Sequence, residues 1–189
     1  MNERISLFGL PFVAADQQGV IAEVLERVSA GQRLVVLTIN VDLAVKFLQD
    51  SSDGRFRAAC QAADIVVADG MPIVWASRVL RKPLPSRVAG VDLMVGLCRA
   101  AAENDLSLSF LGARPGVAER AATFLRAQFG QLRVAGVYAL RWMQDAGVEW
   151  AWRLWQEPTR LWRRYLTDGI MFPLYVWKEW RQRTKKTDA

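Results

Sequence analysis

The sequence predicts an α/β protein, a mostly parallel sheet with helices on both faces, followed by a C-terminal helical appendage. Three observations carry that prediction. Short apolar runs rich in β-branched residues alternate with longer segments of helical spacing as far as Tyr138. The run Ile65-Val66-Val67-Ala68 is apolar throughout, which suits a central strand covered on both sides. After Tyr138 the alternation stops, and a segment dense in tryptophan and arginine begins. The chain has 189 residues, 52% apolar and 23% charged, enough for one domain with a full core or a domain plus an appendage. We divide it into a core at 1–140 and an appendage at 141–189.

In order, Phe8 to Phe12 reads as an entry strand or turn. Ala15 to Ser29 is helical, with Val20, Ile21, Val24, Leu25 and Val28 on one stripe. Leu34 to Asn40 is a buried strand and Val41 to Gln49 a helix. Asp53-Gly54 punctuates, and a helix over Arg55 to Ala62 leads into the strand at Asp64 to Gly70. A helix follows over Pro72 to Leu80, then a loop from Arg81 to Arg87 marked by Pro83 and Pro85. Gly90 to Glu103 is helical, Leu106 to Leu111 a strand, Pro115 to Phe129 a helix and Leu132 to Tyr138 a strand.

Composition excludes several chemistries. The chain has no histidine, which removes Ser-His-Asp and Cys-His nucleophile systems and imidazole acid/base work. A general base must then be Asp or Glu, with Lys, Tyr or Cys behind them. The two cysteines, Cys60 and Cys98, form no CxxC pair and fit a reducing compartment. Met1 to Gly9 lacks the pattern of a signal peptide, and the apolar run Ile170 to Trp177, broken by Pro173, is too short to span a bilayer. These features predict a cytoplasmic protein. The net charge of +6 invites nucleic acid as a partner, but no nucleic-acid motif is present. A GxGxxG fingerprint is also missing, which disfavours a nicotinamide dinucleotide.

Most of the charge lies in the appendage. Arg141 to Ala189 holds ten Lys/Arg against six Asp/Glu and seven of the eight tryptophans. Basic residues mixed with tryptophan suit the interface of an anionic membrane. A helical hairpin packing its tryptophans on the sheet is the competing reading.

Ligands of open α/β sheets bind outside the carboxyl ends of the strands. Three such ends are expected to converge: Thr38-Ile39-Asn40, Asp69-Gly70, and Leu111-Gly112 with the loop to Gly116. Thr38 and Asn40, two apart on an extended chain, present a hydroxyl and an amide together. Gly70 lets the backbone turn closely beside Asp69. From spacing alone, Asp69 is equally well a cap for the helix that starts near Met71-Pro72. The Gly112 to Gly116 loop is equally well a plain tight turn.

Taken together, Thr38-x-Asn40, Ala63-Asp64 through Asp69-Gly70, Arg87-Val88-Ala89-Gly90-Val91-Asp92 and Phe110 to Glu119 resemble the bacterial WecG/TagA/CpsF glycosyltransferase family. Glu149-Trp150-x-x-Arg153-Leu154 and Glu157-Pro158-x-Arg160-Leu161-x-x-Arg164-Tyr165 extend the likeness into the tail. The resemblance implies a Rossmann-like core and an inverting transferase that needs no metal or other cofactor. It implies a UDP-sugar donor, often of N-acetylmannosamine type, and an undecaprenyl-diphosphate-linked acceptor in cell-surface polysaccharide synthesis. It also implies peripheral attachment at the cytoplasmic face of the membrane, where the tail meets the lipid and completes the site.

On the same resemblance Asp69 is the general base, and Thr38 and Asn40 line the pocket. Gly70, Arg87, Gly90, Asp92 and Gly112 belong to the substrate-binding stretches. Arg153, Arg160 and either Arg163 or Arg164 neutralise the diphosphate. One departure is plain. Between Tyr138 and Arg141, members of the family carry a further segment, with a Gly-x-Pro-Lys-Gln-Glu motif, that lines the nucleotide-sugar site. Its loss removes donor contacts and exposes a sheet edge that invites self-association into a homo-oligomer. It also leaves open a catalytically impaired relative that acts as a membrane-associated binding protein.

Overall fold

The computed structural model describes residues 2–50, 54–112, 116–138 and 171–181. Among these the chain forms two units, one of residues 2–93 with 171–181 and one of residues 94–138. The first unit carries β1 (Arg4–Leu7), β2 (Leu10–Val13), α1 (Gln17–Ser29), β3 (Val36–Ile39), α2 (Val41–Gln49), α3 (Arg55–Gln61), β4 (Ile65–Ala68) and α4 (Met71–Val79). Next comes α5 (Gly90–Glu103), whose residues from Met94 onward belong to the second unit with β5 (Ser107–Leu111), α6 (Val117–Gln128) and β6 (Arg133–Tyr138). A further helical stretch covers residues 171–181. The fold is mixed α/β with mostly parallel pairing, as the sequence predicts.

In the first unit the strand order is β1-β2-β4-β3. Strand β4 pairs in parallel with β3, Val36 opposite Ile65 through Ile39 opposite Ala68, and with β2 at Phe12 opposite Val66. All four β4 residues are buried. Val66 and Ala68 face a core with Leu10, Phe12, Ile39, Phe47 and Ile73. Ile65 and Val67 have the opposite pleat parity and are equally inaccessible, so both faces of the strand are covered. Phe172 and Val176 of the 171–181 stretch enter the same core.

The entry segment is an antiparallel hairpin, β1 on β2, and among the described residues β1 is the one strand that periodicity does not disclose. Its turn residues Phe8 and Gly9 both have positive φ, as a type I′ turn requires. Phenylalanine is an unusual occupant of that conformation. Here its side chain is buried and meets the Phe172 ring at 5.8 Å, so packing compensates for local strain.

Two acids fasten this unit. Asp64 accepts from Val35 N at 2.8 Å and from Arg27 Nη2 at 3.1 Å, tying the start of β4 to β3 and α1. The Val35 N–H first, and then Arg27, hold its carboxyl below the ordinary aspartate range. Glu23 of α1 is buried and accepts from the Arg4 guanidinium and from Asn2 N and Nδ2. The hydrogen bond from Arg4, helped by those from Asn2, outweighs burial and lowers its pKa to about 2.

In the second unit β5 and β6 pair in parallel, with a register shift between Leu108 and Ser109. Leu108 and Phe110 pack with Cys98, Ala101, Leu125 and Leu132. Among the described residues the ladder partner of β5 is β6, and the four-stranded sheet contains neither.

The Glu23 carboxyl sets an acid limb of stability. Because its pKa is depressed in the folded state, its contribution is complete above the unfolded glutamate value of about 4.5 and drains away as pH falls toward about 2. Glu23→Gln is expected to lower the melting temperature at neutral pH. It also flattens the dependence between pH 4.5 and 2, which thermal melts across that window would measure.

Candidate functional site

The parallel ladder of β3 and β4 continues one residue past its last pair, where Asp69 N donates to Ile39 O at 2.8 Å. That bond sets Asn40 and Asp69 side by side as the two strands end. Val88 N donates to Ala68 O at 2.9 Å and brings the segment before α5 onto the end of β4. The loop behind it is held by buried Ser77, whose hydroxyl donates to Val74 O at 2.7 Å and accepts from Leu84 N at 2.9 Å.

Asp69 does not cap α4. The N-cap there is Gly70, with no side-chain cap, Pro72 in the first turn, and φ 138° with ψ 139°, a backbone conformation that belongs to glycine. The Asp69 carboxylate turns instead toward the start of α5, where Oδ2 accepts from Gly90 N at a long 3.4 Å. Such a contact is weak and leaves most of the carboxylate's accepting capacity in a half-buried position.

Gly90 closes the other side. A Cβ there would lie 3.2 Å from Thr38 Oγ1, 3.4 Å from Thr38 Cγ2 and 3.6 Å from Asp69 Oδ2. Thr38 and Asp69 thus both border the space that a side chain at Gly90 would fill. Thr38, Asp69, Gly70 and Gly90 are thus one cluster. Asn40 stands next to it but is partly committed, since its Oδ1 accepts from Leu43 N at 3.0 Å and caps α2. Of the hydroxyl and amide expected to act together, the amide has its NH₂ end to offer.

Arg87 and Asp92 flank the cluster in sequence and pair with each other at 3.4 Å on the surface. Asp92 O also accepts from Gln17 Nε2 at 3.0 Å. An exposed pair of that length is weak, so Arg87 can exchange Asp92 for an anionic ligand at small cost. Gly112 belongs to the second unit, follows β5 with φ 128°, and donates to Tyr138 O at 3.0 Å. Residues 113–115 of its loop, and Arg153, Arg160, Arg163 and Arg164, lie outside the described residues. So do the appendage tryptophans other than Trp177 and Trp180.

Among the described residues no three Cys, Asp or Glu side chains are grouped to share a metal ion. Burial pushes both cysteine thiols up, away from the thiolate a nucleophile needs. Asp69 is the acid at the strand ends. No described helix is long and apolar enough to cross a membrane.

The arrangement defines an α/β protein with a carboxylate held at paired strand ends. Comparison with known proteins makes it specific. The Glycosyl transferase WecG/TagA/CpsF family matches residues 5–141 and 138–186, and the chain belongs to that family. The two matches overlap at 138–141. An N-acetylglucosaminyldiphosphoundecaprenol N-acetyl-beta-D-mannosaminyltransferase of Bacillus spizizenii is 29% identical over 101 residues, 53% of this chain and 38% of that protein. A protein of the same name from Bacillus subtilis is 22% identical over 142 residues, 74% of this chain and 54% of that one. The aligned regions thus span about half or less of these curated relatives.

The Gly90–Thr38 contact is testable as a pairwise coupling. Gly90→Val should cost about 1–3 kcal/mol by overpacking. Thr38→Ala removes both crowding atoms, so in that background the same change should cost less than half as much. A urea-denaturation double-mutant cycle would show it.

Proposed function

We propose that the chain is a glycosyltransferase that moves a sugar from a UDP donor to an undecaprenyl-diphosphate-linked acceptor in cell-surface polymer synthesis. The observation that carries this reading is the half-buried Asp69 carboxylate, held among Thr38, Gly70 and Gly90 in a chain without histidine. The family match and the names of the two Bacillus relatives support the reaction class and the acceptor.

In the proposed step, Asp69 takes the proton of the acceptor hydroxyl as its oxygen attacks the anomeric carbon of the donor. The bond from that carbon to the UDP oxygen breaks, and the electron pair leaves with the diphosphate. A single displacement inverts the anomeric centre. Thr38 and the Asn40 amide orient the sugar, and Arg87 stands three residues before Gly90. On the resemblance, Arg153, Arg160 and Arg163 or Arg164 neutralise the leaving diphosphate, a task that guanidinium forks perform without a metal ion. The donor sugar is of N-acetylmannosamine type, and the enzyme works peripherally at the inner face of the membrane.

One observation favours a second reading. The family match comes in two pieces that overlap at 138–141, and on the resemblance it is there that a segment lining the nucleotide-sugar site is absent. A chain short of donor contacts would persist as a membrane-associated binding protein.

Asp69→Asn should reduce sugar transfer from UDP-N-acetylmannosamine to a polyprenyl-diphosphate-linked acceptor by about 10²- to 10⁴-fold, with the melting temperature retained. Unchanged turnover would remove Asp69 from the base role. Calorimetric titration with UDP separates the two readings, because a parent chain that binds no UDP is the binding protein.

A further inference from the structure

The first unit carries an apolar groove of about 480 Å³ between α4 and the 171–181 helix. Trp75 and Val79 of α4 form one wall, and Val176, Trp177 and Trp180 the other. Core packing does not account for Trp75, Val79 or Trp177. Trp75 is 56% exposed, Val79 55% and Trp177 50%, although the neighbouring turns of the same helices bury Ile73, Ala76 and Phe172. Both helices therefore present a second apolar face, and together these faces make a trough with an almost wholly apolar lining.

Its position is as informative as its lining. The groove reaches Val41 and Pro72, the residue after Asn40 and the second residue after Gly70. It thus reaches the segments that follow the two strand ends carrying the candidate chemistry. At the Trp177 rim, the Arg181 guanidinium stacks on the ring at 4.0 Å and places a cation beside the apolar wall. A flat apolar patch would suit a second copy of the chain. A concave groove lined by tryptophan and adjoining the proposed transferase site suits an extended hydrocarbon.

We infer that this groove seats the isoprenoid chain of the lipid-linked acceptor, with the diphosphate end toward Asn40 and Asp69. The inference rests on the acceptor class proposed above and adds the place where its chain lies. Burial of the chain against Trp75, Val79 and Trp177 would hold the acceptor hydroxyl in register with Asp69. The terminal sugar alone would supply less of that positioning.

The test labels the full chain with a polyprenyl diphosphate that carries a benzophenone at its far end, followed by peptide mapping. Adducts are expected on the α4 and 171–181 peptides and should fall at least tenfold in Val79→Asp, provided the variant melts like the parent. Trp177→Ser serves if Val79→Asp does not fold. Labelling elsewhere, or undiminished in both variants, overturns the inference. So does labelling that phosphatidylglycerol vesicles displace as well as unlabelled polyprenyl diphosphate does, which assigns the groove to bilayer lipid. A parent dimer that Val79→Asp converts to monomer, with labelling unchanged, assigns it to a second copy. A chain that labels in the groove but transfers no sugar sinks the proposed reaction and leaves the groove standing. Transfer with labelling elsewhere does the reverse.

Discussion

The backbone hydrogen bond from Asp69 N to Ile39 O is the rung on which the site depends. It exists because β4 is buried on both faces and therefore must satisfy its backbone groups along the sheet. With β3 in register from Val36 to Ile39, the chain leaves the sheet at Asn40 and Asp69 together. A one-residue slip of β4 would turn Val66 and Ala68 away from Phe12 and Phe47, so the packing that fixes the register also fixes the acid. Asp64 guards the same register from the other end of the strand through Val35 N and Arg27.

Polar groups at such an end have competing uses, and the local sequence settles the competition. Asn40 gives its oxygen to the α2 cap, which fixes the amide's direction. A capping acid at α4 would have consumed Asp69. Gly70 and Pro72 start that helix without one, and the carboxylate is left with a long contact to Gly90 N. Gly90 in turn supplies space. Its missing side chain leaves room for both Thr38 and the Asp69 carboxylate, and β-branched Thr38 cannot rotate both its Oγ1 and Cγ2 out of that space.

Much of this was legible in the residues. The helix Val41–Gln49 and the helix Gly90–Glu103 have the bounds that periodicity predicts, and β4 lies within Asp64 to Gly70. Strand β1 escaped because four residues with one charge carry little alternation, and its Phe8-Gly9 turn lacks the usual Asn-Gly signal. Spacing left Asp69 undecided between cap and site, because a cap is a matter of carboxylate direction that sequence does not encode. The exposed stripe Met71, Trp75, Val79 was a visible signal, spaced by four on α4, yet a stripe alone reads equally as core. What distinguishes it is Phe172 and Val176, more than ninety positions away in sequence, filling the core beside it.

The same distance explains why the 171–181 helix links packing to chemistry. Phe172 meets Phe8 at the hairpin turn and fixes the helix on the sheet's core side. Once it is fixed, helical periodicity places Trp177 and Trp180 beside Trp75 and Val79. The groove is thus a consequence of core packing and needs no segment of its own. An apolar face that completed the core would have closed it. Trp75 and Trp177 instead stay half exposed along a groove that reaches Pro72, two residues from Gly70, which is the geometry that the proposed lipid-borne acceptor would use.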